Sequence, residues 1–124
     1  MSWDIVLFSS EQKLVSLENL NEDLLKPIDF DKVLKSKFEN IKKSENHNEI
    51  IGKDFSIDFF DDEELVSNKM LSLYGENGLF ELIKIAKVEN WQIYDSGIDK
   101  IINLEKPEEN GYGNFQKYLN NLNE

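Results

Sequence analysis

The chain has 124 residues, 40% of them apolar, and a formal net charge of -11. It contains no Cys, Arg or Thr, all 14 of its positive residues are lysine against 25 Asp and Glu, and His47 is its only histidine. Disulfides, thiolate chemistry and arginine clamps on phosphate are thereby excluded, and a lone histidine makes a poor zinc site.

Length predicts a single domain, 1–124, large enough to bury about two-thirds of the surface its unfolded chain exposes. Met1 to Phe8 does not read as a signal peptide, because it lacks a basic region and its apolar run is only Ile5 to Phe8. No stretch approaches the ~20 apolar residues of a membrane span. A cytoplasmic location is the expectation, and the Asn, Ile and Lys content suggests an AT-rich bacterial genome.

Trp3 to Ser9 is apolar on both alternating faces, the pattern of a central strand. Leucines at 17, 20, 24 and 25 then suggest a short helix around Leu17 to Leu25. Asp29 is placed to cap a helix in which Phe30, Val33, Leu34, Phe38 and Ile41 form one stripe running to about Lys43. Ser44 to Asn48, with His47, reads as a polar loop. Asp54 to Phe60 alternates as a strand with Phe55, Ile57 and Phe59 on one face. Asp61 to Glu64 forms a charged turn into a second strand, strongest at Met70 to Tyr74, so the two make a hairpin.

Gly75 to Gly78 breaks that strand, with Asn77 as the expected cap of a helix over Leu79 to Glu89. Trp91 to Asp95 predicts a fourth strand, Ile98 to Leu104 a short helix or edge segment, and Phe115 to Leu122 a C-terminal helix. The order is that of a ferredoxin-like βαββαβ unit: an α+β fold whose antiparallel sheet carries its helices on one face. An N-terminal insertion and a C-terminal helical tail decorate it. An unrelated α+β sheet with the same element order is the competing arrangement.

The densest acidic run is Asp61, Asp62, Glu63 and Glu64, preceded by Asp58. It lacks the spacing of a calcium loop, so its functional reading is a patch for a basic partner beside the simpler one of a solvated hairpin tip. His47 has only Glu45 and Glu49 near it in sequence and no enclosing apolar residues, which leaves no catalytic assignment. The glycines at 75, 78, 111 and 113 lack the surroundings of a phosphate loop. Tyr74, Trp91, Tyr94 and Tyr112 are candidates to line a groove or interface, Trp3, Trp91 and Tyr94 are the aromatic anchors, and Trp91 and Tyr94 join Asp58, Asp61, Asp62, Glu63 and Glu64 as the expected partner-binding set. No catalytic residue, metal ligand or cofactor is assigned.

The stretches MSWDIVLF, DFSIDFF and SNKMLSLYGENGLFELIKIAKVENWQIYDSG resemble a group of small, uncharacterised bacterial proteins of about this length. By size and charge alone the chain is also similar to immunity proteins of polymorphic toxin systems. That resemblance implies a non-enzymatic protein that neutralises a toxin.

A charge of -11 disfavours nucleic acid and anionic membranes and steers a basic protein towards the chain. The expected function is therefore docking of a basic protein. The alternatives are a module that dimerises through its sheet, and a hydrolase using paired carboxylates.

Overall fold

The computed structural model describes residues 3–10 and 22–110. It is an α+β structure built on one seven-stranded antiparallel sheet and two helices. The strands are β1 (Trp3–Ser9), β2 (Ile41–Ser44), β3 (His47–Gly52), β4 (Phe55–Phe60), β5 (Asn68–Tyr74), β6 (Trp91–Asp95) and β7 (Lys100–Ile101). The helices are α1 (Phe30–Lys37) and α2 (Glu76–Glu89). Across the sheet the order is β2-β3-β4-β5-β1-β6-β7.

β1 lies between β5 and β6, in register Ile5 to Leu71 and Ile5 to Asp95. Pairing on both edges makes β1 central; Ile5 and Leu7 are fully buried on one face, and Phe8 on the other is 7% exposed. Trp3, Ile5 and Leu7 face the helices with Ile57, Leu71, Leu73 and Ile93, and Phe30 and Leu34 of α1 join Leu79, Leu82, Ile83 and Ala86 of α2 in the same core. Burying such side chains contributes roughly 1.5–3 kcal/mol each.

Asp29 caps α1 as expected, accepting from the Lys32 N–H at 3.0 Å. The helix stops at Lys37, however, and Phe38 turns extended. Ile41, placed by periodicity on the helix stripe, begins β2 and pairs with Ile50. The expected loop at Ser44 to Asn48 shrinks to a two-residue turn, Glu45–Asn46, with Glu45 at φ 57°. His47 and the buried Asn48 belong to β3. The sheet thus has seven strands where the sequence predicts four.

α2 begins before the expected Asn77 cap, with Gly75 at its N-terminal cap and Asn77 inside the first turn. Asn90 ends it in the left-handed conformation, its N–H donating to the Ala86 carbonyl. β4, β5 and β6 stand where the pattern put them, and β7 is an edge segment. Of the expected early helix, only a 3₁₀ turn at Glu22–Leu24 falls among the described residues. The C-terminal helix, Gly111, Tyr112 and Gly113 lie outside them.

Gly75 is needed where it stands. Its φ is +100°, and a Cβ there would meet the Asp54 carbonyl oxygen at 2.5 Å. Gly75→Ala is therefore expected to cost about 1–3 kcal/mol, read as a lower urea midpoint at unchanged slope.

Candidate functional site

One end of the sheet is tied by a charge network on the helix-covered side. Lys69 follows the inward phase of Leu71 and Leu73, so its side chain points into the core, 4% exposed. Burial of an ammonium costs several kcal/mol unless oxygens replace its water. Here Lys69 Nζ lies 2.8 Å from Asp31 Oδ1, 2.7 Å from Asp62 Oδ2 and 2.6 Å from the Phe60 carbonyl oxygen, to which it donates. It also sits 5.2 Å from the Phe59 ring centroid.

The Asp62 backbone N–H donates to Asp31 Oδ2 at 2.9 Å, and Ile28 and Val66 exchange backbone bonds. The start of α1 is thus fastened to the β4–β5 connection.

Asp61 is engaged one step away. It lies 2.9 Å from Lys43 and 3.0 Å from Lys35, and accepts from Asn48 Nδ2 at 2.8 Å. Hydrogen bonds from Lys43, Lys35 and Asn48 hold its carboxyl well below its ordinary value of 3.8. Two of the four residues in the acidic run are therefore spent on internal contacts. Glu63 and Glu64 are exposed, with no ion pair or hydrogen bond among the described residues.

The opposite face of the sheet carries two rows that cross the strands. In the first, registered neighbours run Lys42, Glu49, Asp58, Ser72, Asp4 from β2 to β1. Asp4 accepts from the Ser72 hydroxyl at 2.8 Å. Burial pushes the Asp58 carboxyl up, opposed by His47 and reinforced by Glu49. His47 Nε2 is 3.8 Å from Asp58 Oδ2, and Asp58 Oδ1 is enclosed without a hydrogen-bond partner.

This histidine, carboxylate and serine do not form a nucleophilic triad. Asp58 stands on the strand between His47 and Ser72, whereas the histidine must bridge carboxylate and nucleophile.

The second row lies two residues along each strand. It holds His47 and Phe60 on β3 and β4, and Met70, Val6, Tyr94 and Ile101 from β5 to β7; β4 and β5 themselves pair only as far as Asp58 and Ser72. The His47 and Phe60 rings are 5.2 Å apart. Phe60 and Met70 are 62% and 61% exposed. The Tyr94 hydroxyl donates to Asp99, which raises its pKa and keeps the phenol protonated.

Trp91 belongs to the core. It is 2% exposed, with its ring 4.9 Å from that of Phe30. It helps line a groove of about 1310 Å³ beside α1, where Ile28, Val33 and Leu104 mix with Lys26, Lys32 and Glu89. At that burial its ring has almost no surface to offer a partner.

Among the described residues no group of three or more His, Asp or Glu side chains converges as a metal site. Sequence reasoning missed Lys69, Asp31 and the exposed side chains of Phe60 and Met70. The one available signal was a lysine on the same two-residue phase as Leu71 and Leu73. Comparison with known protein families, curated proteins and solved structures finds no match.

Lys69→Met strands Asp31 and Asp62 without their cation, and should destabilise the fold by about 3–5 kcal/mol in chemical denaturation. Asp61 binds its proton more weakly when folded than when unfolded. Its contribution is therefore present above the ordinary value of 3.8 and is lost as pH falls below it. Asp61→Asn should lower stability at pH 7 and flatten the fall between pH 5 and 3, measured as urea midpoints across that range.

Proposed function

We propose that this chain is a non-enzymatic binding protein that docks a basic protein partner, a toxin-neutralising immunity protein being the most concrete version. The observation that carries this reading is the segregation of charge across the sheet. On the face turned away from α1 and α2, Lys42 is the only strand lysine among the described residues, against Asp4, Glu49 and Asp58. Lys32, Lys35, Lys37, Lys84 and Lys87 all sit on α1 and α2. An acidic face on a chain of charge -11 accelerates encounter with a cationic surface.

The edge strands weigh against the alternative of a dimer formed by sheet extension. β2 is four residues long with Lys42 and Lys43, and β7 is two residues long. Short, lysine-bearing edges resist pairing with another chain. The neighbour order β4-β5-β1-β6 supports a ferredoxin-like core to which β2, β3 and β7 are additions. The cysteine-free composition supports a reducing, cytoplasmic compartment.

The test is capture on the full-length chain from the native bacterium, followed by stopped-flow association with the purified partner. A partner of high isoelectric point should associate about 10-fold more slowly or worse at 0.5 M than at 0.05 M NaCl. An acidic partner, or a rate indifferent to salt, would overturn the proposal.

A further inference from the structure

The geometry points to a specific docking surface for the basic partner: the apolar row on the sheet face turned away from α1 and α2. The occupant we infer is a cationic amphipathic helix of that partner, laid across the strands. This rests on the reading above and deepens it.

The two rows supply the pattern such a helix needs. Phe60, Met70, Val6, Tyr94 and Ile101 span β4, β5, β1, β6 and β7. Four strand spacings make that row about 19 Å long. A helix of about 13 residues covers the same length. The Glu49–Asp58–Asp4 row runs parallel to it, two residues or about 7 Å away. Lysines flanking the apolar stripe of a helix can reach such a row while the stripe lies on Phe60 and Met70.

Phe60 and Met70 suit the task in different ways. Phe60 is a large, stiff side chain whose own carbonyl accepts from Lys69 on the other side of the sheet, so its strand end is fixed before any partner arrives. Met70 is unbranched and polarizable and can fill irregular gaps. Exposed Glu63 and Glu64, in the connection that leaves Phe60, extend the negative field beside this anchor.

Charge also selects the occupant. A second copy of this chain brings -11 against an acidic face. The chain's own residues 11–21 contain Glu11 and Glu18 against Lys13, and residues 111–124 contain Glu124 against Lys117, so neither segment is cationic. Among these occupants only a foreign basic segment brings net positive charge to the acidic row.

The probe is a synthetic 18-residue amphipathic helix of lysine and leucine, titrated into the full-length chain at 50 mM NaCl. NMR should map its largest shifts to Phe60, Met70, Val6 and Tyr94. The double variant Phe60→Ser/Met70→Ser alters two exposed side chains, so its melting temperature should stay near that of the parent, and its affinity should drop at least 10-fold. Glu49→Gln/Asp58→Asn should weaken binding a few-fold at 50 mM NaCl and have no effect at 0.5 M.

Shifts centred on another surface, or unchanged affinity in Phe60→Ser/Met70→Ser, overturn this surface. If that variant still binds the captured basic partner in a salt-dependent way, the basic-partner reading stands and only the surface is wrong. If the parent binds neither peptide nor basic partner, both fall. A homodimer dissociated by the same two substitutions would put a second copy on the face and overturn the assigned occupant.

Discussion

The buried ammonium of Lys69 is the constraint around which this end of the molecule is organised. A cation on the core side of a sheet is tolerable only where oxygens close around it. That requirement draws in Asp31 from the first turn of α1, Asp62 from the β4–β5 connection and the Phe60 carbonyl from the end of β4. The start of α1, the end of β4 with its following connection, and β5 are thereby held at one point. The Asp62 N–H to Asp31 bond and the Ile28–Val66 bonds then have their partners already in place. Asp61 adds a more exposed set of contacts to α1 and to the β2–β3 hairpin, of the kind that contributes modestly in water.

The clamp divides the acidic residues by role. Asp31, Asp61 and Asp62 serve the fold, while Glu63, Glu64 and the row of Glu49, Asp58 and Asp4 lie on the outside of it. A net charge read from composition adds these groups together. Only the register of the strands separates them, since alternate residues of one strand face opposite sides. The same alternation sends Trp91 into the core and Tyr94 to the open face, although the two stand three residues apart.

Local patterns were legible in the sequence. β1, α2 and β6 each carry their burial signature within a single run: apolar on both sides, apolar at three-to-four spacing, or alternating. β2 was not legible. Its four residues, IKKS, include two lysines, and Phe38 and Ile41 continue the spacing of Phe30 and Leu34 as a longer helix would. What makes it a strand is the pairing of Ile41 with Ile50, a tertiary contact that no window around residue 41 contains. The acidic run misled for a related reason. The lysines that neutralise Asp61 lie 26 positions upstream on α1 and 18 positions upstream on β2, and charge counting has no means of joining them.

On the proposed binding reading, the sheet face turned away from the helices serves as a platform. Transition-state stabilisation relies on fixed dipoles in an enclosed, poorly solvated space. The Asp58–His47 pair has the histidine on the far side of the carboxylate from Ser72, so no general base stands between carboxylate and hydroxyl. Binding makes a different demand: an anchor that is rigid before contact, because ordering side chains on association costs affinity. On the proposed reading, Phe60 meets it through its main chain. The bond that satisfies Lys69 beneath the sheet holds the strand end from which the Phe60 ring projects above it. The stability of the core and the readiness of the surface are in this way carried by the same lysine.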